Sequence, residues 1–355
     1  MKRLGVIIVH FGEKTRTIHC LESLIRALHK LKNILPIEAT VLVVDNLGNL
    51  SLKYCKVPTG IEIRYFKPSK NLGYAGACYL GAKLLRNSTL LLFSNNDILF
   101  SENSLIGLIK AVDSLPAAGA IQPLVLTSDC LKIDSLGSTS NNIMYYFGYS
   151  NLPIKYRLIL LNDLKIVESF GIEGAVFIIK KTVWENIGGW DPLFFMFNED
   201  SLLSWKLRLS GYKNYVVLNS IVYHERGGTA KGHFIKKDPI FSSYYSSRNK
   251  FLSTLYIHEG YWLIIYFCIL FLFEFIKNLI LSIENRTGVY LYYYIRALIF
   301  VLKNRKHIVS ERRKIQRKYN AMYFLKNNYT LSIKISLAWL IKSRKIILDN
   351  LTNKY

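Results

Sequence analysis

Cysteine is scarce and scattered in this chain, and acidic residues are heavily outnumbered. The five cysteines, Cys20, Cys55, Cys78, Cys130 and Cys268, are odd in number and include no CxxC pair. That spacing argues against a disulfide framework or a structural zinc site and fits a reducing compartment. Met1, Lys2 and Arg3 supply a basic start, yet the apolar run 4–9 is shorter than a signal sequence needs, and His10, Gly12, Glu13 and Lys14 follow at once. It reads as a first buried strand. No repeat of solenoid length is present. Helix-turn-helix, RNP-like and zinc-finger patterns are missing too, so no nucleic acid is expected as a partner.

What is present bounds the answer further. A chain of 355 residues that is 51% hydrophobic can bury a large core and is long enough for two domains. Lys and Arg number 47 against 24 Asp and Glu, a formal net charge of +23. Charge of that size speaks to partners, here a phosphorylated substrate or anionic lipid headgroups.

Residues 6–10 form a β-branched run suited to a strand covered on both faces. Ile18, Leu21, Leu24, Ile25, Leu28 and Leu31 then recur at helical spacing, and a second buried strand at 40–44 ends in Asp45-Asn46. The sequence predicts a third strand over 61–66, then the small-residue loop 71–76 and a helix over 77–85. A fourth strand over 89–93 ends in Ser94-Asn95-Asn96-Asp97. A helix over 104–115, strands over 118–125 and 171–180, a helix over 202–209 and a strand over 216–224 complete the pattern. This alternation predicts an α/β fold with a mostly parallel sheet flanked by helices. The stretch 141–161 reads as irregular or short strands, and 227–239 has the composition of a mobile loop.

Acids gather at the strand ends: Asp45, Asp97, and the pair Glu199–Asp200. In open sheets of this kind ligands collect beyond the carboxyl ends of the strands. A lone Asp there is often a turn residue, and Asn198, Glu199 and Asp200 also read as the cap and first turn of a helix. Occurring together, they predict one rim. The pair lies between an aromatic run and an amphipathic helix, a setting for deprotonating a hydroxyl over a ring-shaped substrate. Among the aromatics Trp190 is expected to wall that pocket, and the neighbouring phenylalanines to join the core.

The motifs VIIVHF (6–11), VVDN (43–46), NLGYAGA (71–77), FSNNDI (93–98), IEGAVFIIKKTVWENIGGWD (172–191), FFMFNED (194–200), VYHERGGT (222–229) and SRN (247–249) stand in order. In them the chain resembles a family-2 glycosyltransferase of the GT-A fold, in the rhamnosyltransferase and galactofuranosyltransferase subgroup. The resemblance covers about the first 250 residues. It implies a Rossmann-like catalytic domain over 1–240, with a nucleotide-sugar half at about 1–120 and an acceptor half at about 121–240. Residues 241–355 form a C-terminal helical membrane-associating region. It further implies a nucleotide-sugar donor met by Asp45, Asn71, Gly73, Asn96 and Arg248, and a sugar or acceptor pocket that includes Gly174 and Trp190. A divalent cation, Mg2+ or Mn2+, is implied on Asp97 and His224. Asp200 becomes the general base of an inverting transfer, with Glu199 raising its proton affinity or orienting the loop. For His224 and Arg248, ordinary roles at a strand end and on a solvated surface stay open. Asn95 and Leu202 stand where many relatives carry acids. That leaves a catalytically impaired nucleotide-sugar or glycan-binding protein of the same fold as the alternative.

In the last third, 261–283 is almost unbroken in apolar residues, with Glu274, Lys277 and Asn278 embedded, and 290–302 is apolar and aromatic again. A basic block follows at 303–306 and 312–318. The long run is read as an in-plane hydrophobic helix, a true span or re-entrant hairpin, or a buried helix or oligomer contact. The flanking charge favours an anionic membrane surface at the cytoplasmic face. Relatives of this kind act on lipid-linked or membrane-held acceptors.

Overall fold

The computed structural model describes residues 1–51, 58–140, 146–148, 152–153, 166–225 and 239–318. The expected irregular stretch 141–161 lies outside these apart from two short strands, and the expected loop 227–239 lies outside them but for its last residue.

The amino-terminal part alternates as the hydrophobic pattern requires. Strand β1 (Lys2–His10) leads into α1 (Lys14–Ile34), then β2 (Ile37–Asp45) and β3 (Ile61–Phe66). Helix α2 (Gly73–Leu84), β4 (Leu90–Asn95), β5 (Ile98–Phe100), α3 (Ser104–Ser114) and β6 (Ala118–Thr127) follow. Next come β7 (Lys132–Ser135), β8 (Ser138–Ser140), β9 (Tyr146–Gly148), β10 (Leu152–Pro153), β11 (Ile166–Ser169) and β12 (Val176–Lys180). Helices α4 (Lys181–Asn186) and α5 (Glu199–Leu209) precede β13 (Lys213–His224).

Among the described residues, an 11-stranded sheet runs β10-β7-β6-β12-β4-β1-β2-β3, with β13 joining β6, β5 and β11. The longer ladders, β1 with β2 and β4, β2 with β3, and β6 with β13, are parallel. Strand β12 enters antiparallel between β4 and β6. Alternation along each strand separates two helical layers, as a period of two demands. Leu4, Val6 and Ile8 pack with α1 and α3. Ile7 and Val9 face the opposite layer with α2, α4 and α5.

One expectation needs correcting. The buried run 171–180 is a strand only from Val176. Ahead of it, the Glu173 amide donates to Gln122 Oε1 and the Gly174 amide to Asp200 Oδ2. Backbone groups already bonded to side chains cannot join a ladder.

The carboxyl-terminal helices are α6 (Pro239–Ile257), α7 (Gly260–Glu284), α8 (Val289–Lys303) and α9 (Arg305–Lys318). Phe251, Tyr256, Leu270, Tyr294, Val301 and Ile308 belong to the same apolar cluster as Ile7 and Val9. The helices therefore share a core with the sheet.

Candidate active site

Strand register lines up the acidic rim. His10 pairs with Asp45 across β1 and β2, and Val9 pairs with Asn95 across β1 and β4. Asp97 sits in the turn between β4 and β5, and His224, paired with Ile98, ends β13 beside it. The Asn95 amide donates to the Ala175 carbonyl at 2.8 Å, which joins this turn to Gly174.

Gly174 touches Asp200 directly. Its amide donates to Asp200 Oδ2 at 3.0 Å, its carbonyl accepts from the Tyr74 hydroxyl at 2.6 Å, and a Cβ placed on it would lie 3.3 Å from Asp200 Cβ. Asp200 Oδ1 takes the Ser201 amide at 2.7 Å. The carboxylate thus sits in the first turn of α5, where unpaired amides favour negative charge. Burial pushes the Asp200 carboxyl up, and the Gly174 and Ser201 amides pull it part of the way back. Glu199 is buried and its Oε2 has no hydrogen-bond partner. Burial, and then the charge of Asp200, push the Glu199 carboxyl up to about 8. The repulsion therefore falls on Glu199, whereas the sequence reading placed it on Asp200. Two amides favour the Asp200 anion and the Glu199 Oε2 has no partner, so of the two carboxyls Glu199 holds a proton the more tightly.

The proton on Glu199 has a consequence for stability. In the unfolded chain a glutamate ionises near 4.5; folded, Glu199 keeps its proton to about 8. Between those values the folded state binds more protons, so stability falls as pH rises and levels off above about 8. Glu199→Gln is expected to remove that loss, on the order of 4 kcal/mol at pH 8 and nothing below pH ~4. Thermal midpoints of the two proteins across pH check this; a difference independent of pH would refute the assignment.

At the metal corner, Asp97 Oδ1 lies 3.2 Å from His224 Nε2, without the alignment of a hydrogen bond. On the far side His224 Nδ1 meets Asp134 Oδ2 at 2.8 Å. Burial lowers the affinity of His224 for its proton, but Asp134 and Asp97 outweigh that and carry it to about 9. Among the described residues no three carboxylate, histidine or thiol groups cluster as a closed metal site. The donor set still fits a hard cation. One carboxylate with an unpartnered buried oxygen, one imidazole whose proton an arriving cation would displace, and the phosphates of a substrate are what Mg2+ or Mn2+ accepts. Asp134 stands behind the histidine as its orienting carboxylate. No local pattern pointed to Asp134, because its link to His224 crosses between distant strands.

On the nucleotide side, Asp45 is fully buried and occupied. Oδ1 accepts the amides of Leu47 at 2.9 Å and Gly48 at 2.7 Å; Oδ2 accepts the Leu50 amide and the Tyr65 hydroxyl, each at 2.8 Å. Burial pushes its carboxyl up, but those bonds and nearby His10 hold it below the usual range. It shapes the loop after β2 and has no free acceptor for a base or ribose. Asn71 shapes the turn into α2 by accepting from the Gly73 amide at 2.9 Å. Asn46 ties β2 to that turn by accepting from the Leu72 amide and donating to the Gly73 carbonyl. Gly73 has φ +67°, and a Cβ there would stand 2.3 Å from the Phe195 carbonyl oxygen. Asn96 donates to Thr17 Oγ1 at 2.8 Å, and Thr17 in turn meets His10 Nδ1 at 2.6 Å.

Two expected contacts are not brought to the rim. Arg248 is buried, stacked 4.4 Å from the rings of Tyr245 and Phe300, and donates to the carbonyls of Leu193 and Phe194. Its donors hold the loop before the acid pair, which leaves no fork for a diphosphate. Trp190 is 2% exposed and packs with Tyr74, Phe93, Phe177 and Trp184. It floors the site from the core and forms no wall. Beside Arg248, Asn249 Nδ2 donates to the carbonyls of Phe194, Met196 and Phe197 at 2.9, 2.8 and 2.6 Å. The SRN motif contained this residue without revealing its task.

Comparison with known proteins agrees with this fold. A crystal structure of S. aureus TarS residues 1–349 in complex with UDP-GlcNAc superposes with a TM-score of 0.52 at 14% identity, over 95% of this chain and 92% of that one. At that identity the likeness speaks to fold. The N-acetylglucosaminyl-diphospho-decaprenol L-rhamnosyltransferase of Mycobacterium tuberculosis is 22% identical over 243 residues, 63% of this chain and 76% of its own. The family model for glycosyl transferase family 2 matches residues 5–185, which carry β1 to α4 and every acid of the rim except Glu199 and Asp200. The chain belongs to glycosyl transferase family 2, and the protein is a glycosyltransferase.

Proposed function

We propose that this glycosyltransferase works with inversion, moving a sugar from a nucleoside-diphosphate donor to a hydroxyl of a lipid-linked or membrane-held glycan. The observation that carries this reading is the acid pair, in which Asp200 is held by the Gly174 and Ser201 amides beside a buried Glu199 whose Oε2 has no hydrogen-bond partner. Asp200 takes the proton of the acceptor hydroxyl as that oxygen bonds to the anomeric carbon, and the bond to the nucleoside diphosphate breaks on the opposite face. One base suffices for such a displacement, whereas a covalent route needs a second placed carboxylate as nucleophile. Glu199, with its unpartnered Oε2, offers a hydrogen bond to a substrate hydroxyl. Asp97 and His224 are the residues that would hold the divalent cation, which supplies neutralisation of the leaving diphosphate. Asn71, Gly73 and Asn96 set the nucleotide side, and Asp45 fixes the loop beneath it.

The acceptor class is suggested by the M. tuberculosis relative, whose name specifies a diphospho-decaprenol acceptor. Residues 1–240 are assigned to catalysis and 241–355 to association with the cytoplasmic face of a membrane.

A panel of nucleotide sugars with Mg2+ or Mn2+ tests the reading. The full-length protein should release nucleoside diphosphate from one of them, and the product should carry the inverted anomeric configuration by NMR. Asp97→Asn should weaken Mn2+ binding in calorimetry by at least about tenfold. Donor binding without release on any acceptor would point to a binding protein, and a retained configuration would end the single-base mechanism.

A further inference from the structure

Helix α7 is built inside out. Its buried residues are Leu270, Glu274, Asn278 and Ser282, one stripe at a spacing of four, and three of the four are polar. Most of its remaining surface is apolar, and a large part of that is open, with Ile264 66% exposed, Leu272 58%, Ile276 52% and Ile283 68%. Helix α8 repeats the arrangement with an aromatic interior. Tyr290, Tyr294, Ala297 and Val301 are buried, while Ile295 and Leu302 are exposed. The two helices pack through Tyr294, whose hydroxyl donates to the Phe271 carbonyl and whose ring meets Phe271 and Phe275. An apolar face this continuous needs a cover.

The polar stripe decides how it is covered. Glu274, in the middle of α7, is fully buried, with Lys250 Nζ at 2.9 Å and with Lys277 and Ser247 bonded to its other oxygen. Burial pushes its carboxyl up, and Lys250 and Lys277 more than reverse this, to about 2. Asn278 accepts from Ser243 at 2.9 Å. Ser243, Ser247 and Lys250 belong to α6, the helix whose Arg248 and Asn249 bind the loop of the acid pair. A transmembrane α7 would carry this ionic cluster, and α6 with it, to the bilayer centre. The geometry leaves α7 one apolar flank, about 37 Å long at the helical rise.

We infer that the outer faces of α7 and α8 form a monotopic docking surface for an anionic lipid bilayer, with α7 lying in the membrane plane at the depth of the headgroup–acyl boundary. Charge complementarity singles out lipid as the occupant. Exposed Arg296, Lys303, Arg305 and Lys306 border Ile295 and Leu302, and α9 continues with exposed Arg313 and Lys314. Apolar side chains rimmed by cations match acyl chains below phosphatidylglycerol-like headgroups. A second copy of this chain would bring the same positive rim against itself. The inference rests on the transferase reading only for its purpose, which is to hold the acid pair beside a membrane-held acceptor.

Flotation of the full-length protein with preformed vesicles tests it. Vesicles of phosphatidylcholine with phosphatidylglycerol should bind the chain, and both high salt and omission of the anionic lipid should weaken binding. Combining Ile264→Glu, Leu272→Glu and Ile276→Glu should lower the partition coefficient at least about a hundredfold. These side chains are open to solvent, so the thermal midpoint and donor turnover in solution should stay as in the native protein. Three results would overturn the inference: equal binding by the triple variant, a native dimer that the variant turns into monomer, or a chain that enters detergent micelles but never preformed vesicles. Vesicle binding with no turnover of any donor would leave the surface standing and remove the transferase mechanism. Turnover in solution without vesicle binding would do the reverse.

Discussion

Replacing Asp200 with asparagine is expected to lower kcat about a thousandfold while donor affinity changes little. General-base catalysis contributes roughly a hundredfold to ten-thousandfold, and burial places this base at the stronger end by raising its proton affinity. The amide cannot accept the hydroxyl proton. It also presents an NH2 where one of two backbone amides now donates, from Gly174 or Ser201, at a cost of about 1–3 kcal/mol in stability. Calorimetric donor binding separates the two effects, since the donor does not need the base in order to bind. A variant that binds donor normally and releases no nucleoside diphosphate supports the assignment. Transfer within about threefold of the native rate would place the base elsewhere.

A chain displays some kinds of structural information and hides others. The strands were legible because both faces of the sheet are covered, so β1, β2 and β4 are continuous apolar runs. The rim acids were legible because strands end abruptly where a polar residue meets the edge of the core. Side-chain direction was not. Arg248 was expected at the donor and Trp190 in the sugar or acceptor pocket, yet one points into a carbonyl-lined loop and the other into the aromatic core. Asp134 is set by pairing between β6, β7 and β13, which no local pattern encodes. The inverted face of α7 did leave a signal. Glu274, Lys277 and Asn278 stand at i, i+3 and i+4, one side of a helix.

Asn249→Asp is the second large effect expected, a fall in kcat of about a hundredfold with donor KM nearly unchanged. The loop ahead of the acid pair is held in an unfavourable backbone shape, with φ +63° at Phe195, +68° at Phe197 and +62° at Asn198, none of them glycine. Such residues cost about 1–3 kcal/mol each and persist only where their surroundings over-determine them. Here the surroundings are three carbonyls on one side-chain amide, with Arg248 Nε bonded to Asn249 Oδ1 at 2.9 Å and so fixing which end of that amide faces the loop. Aspartate has the same shape and no donors, so it sets a carboxylate against three carbonyl oxygens. Released, the loop no longer orients the first turn of α5, and Asp200 loses its contact geometry with Gly174. A merely structural role would lower the amount of folded protein and leave kcat per folded molecule intact. A positioning role lowers kcat itself and shifts the acid limb of the pH–rate profile downward, as a less buried Asp200 returns toward an ordinary aspartate. Adding Phe197→Gly to Asn249→Asp supplies a residue for which φ +68° carries no penalty, and should recover part of the lost kcat. Unchanged kcat in the single variant, or no recovery in the double, would show that the acid pair is positioned without this clamp.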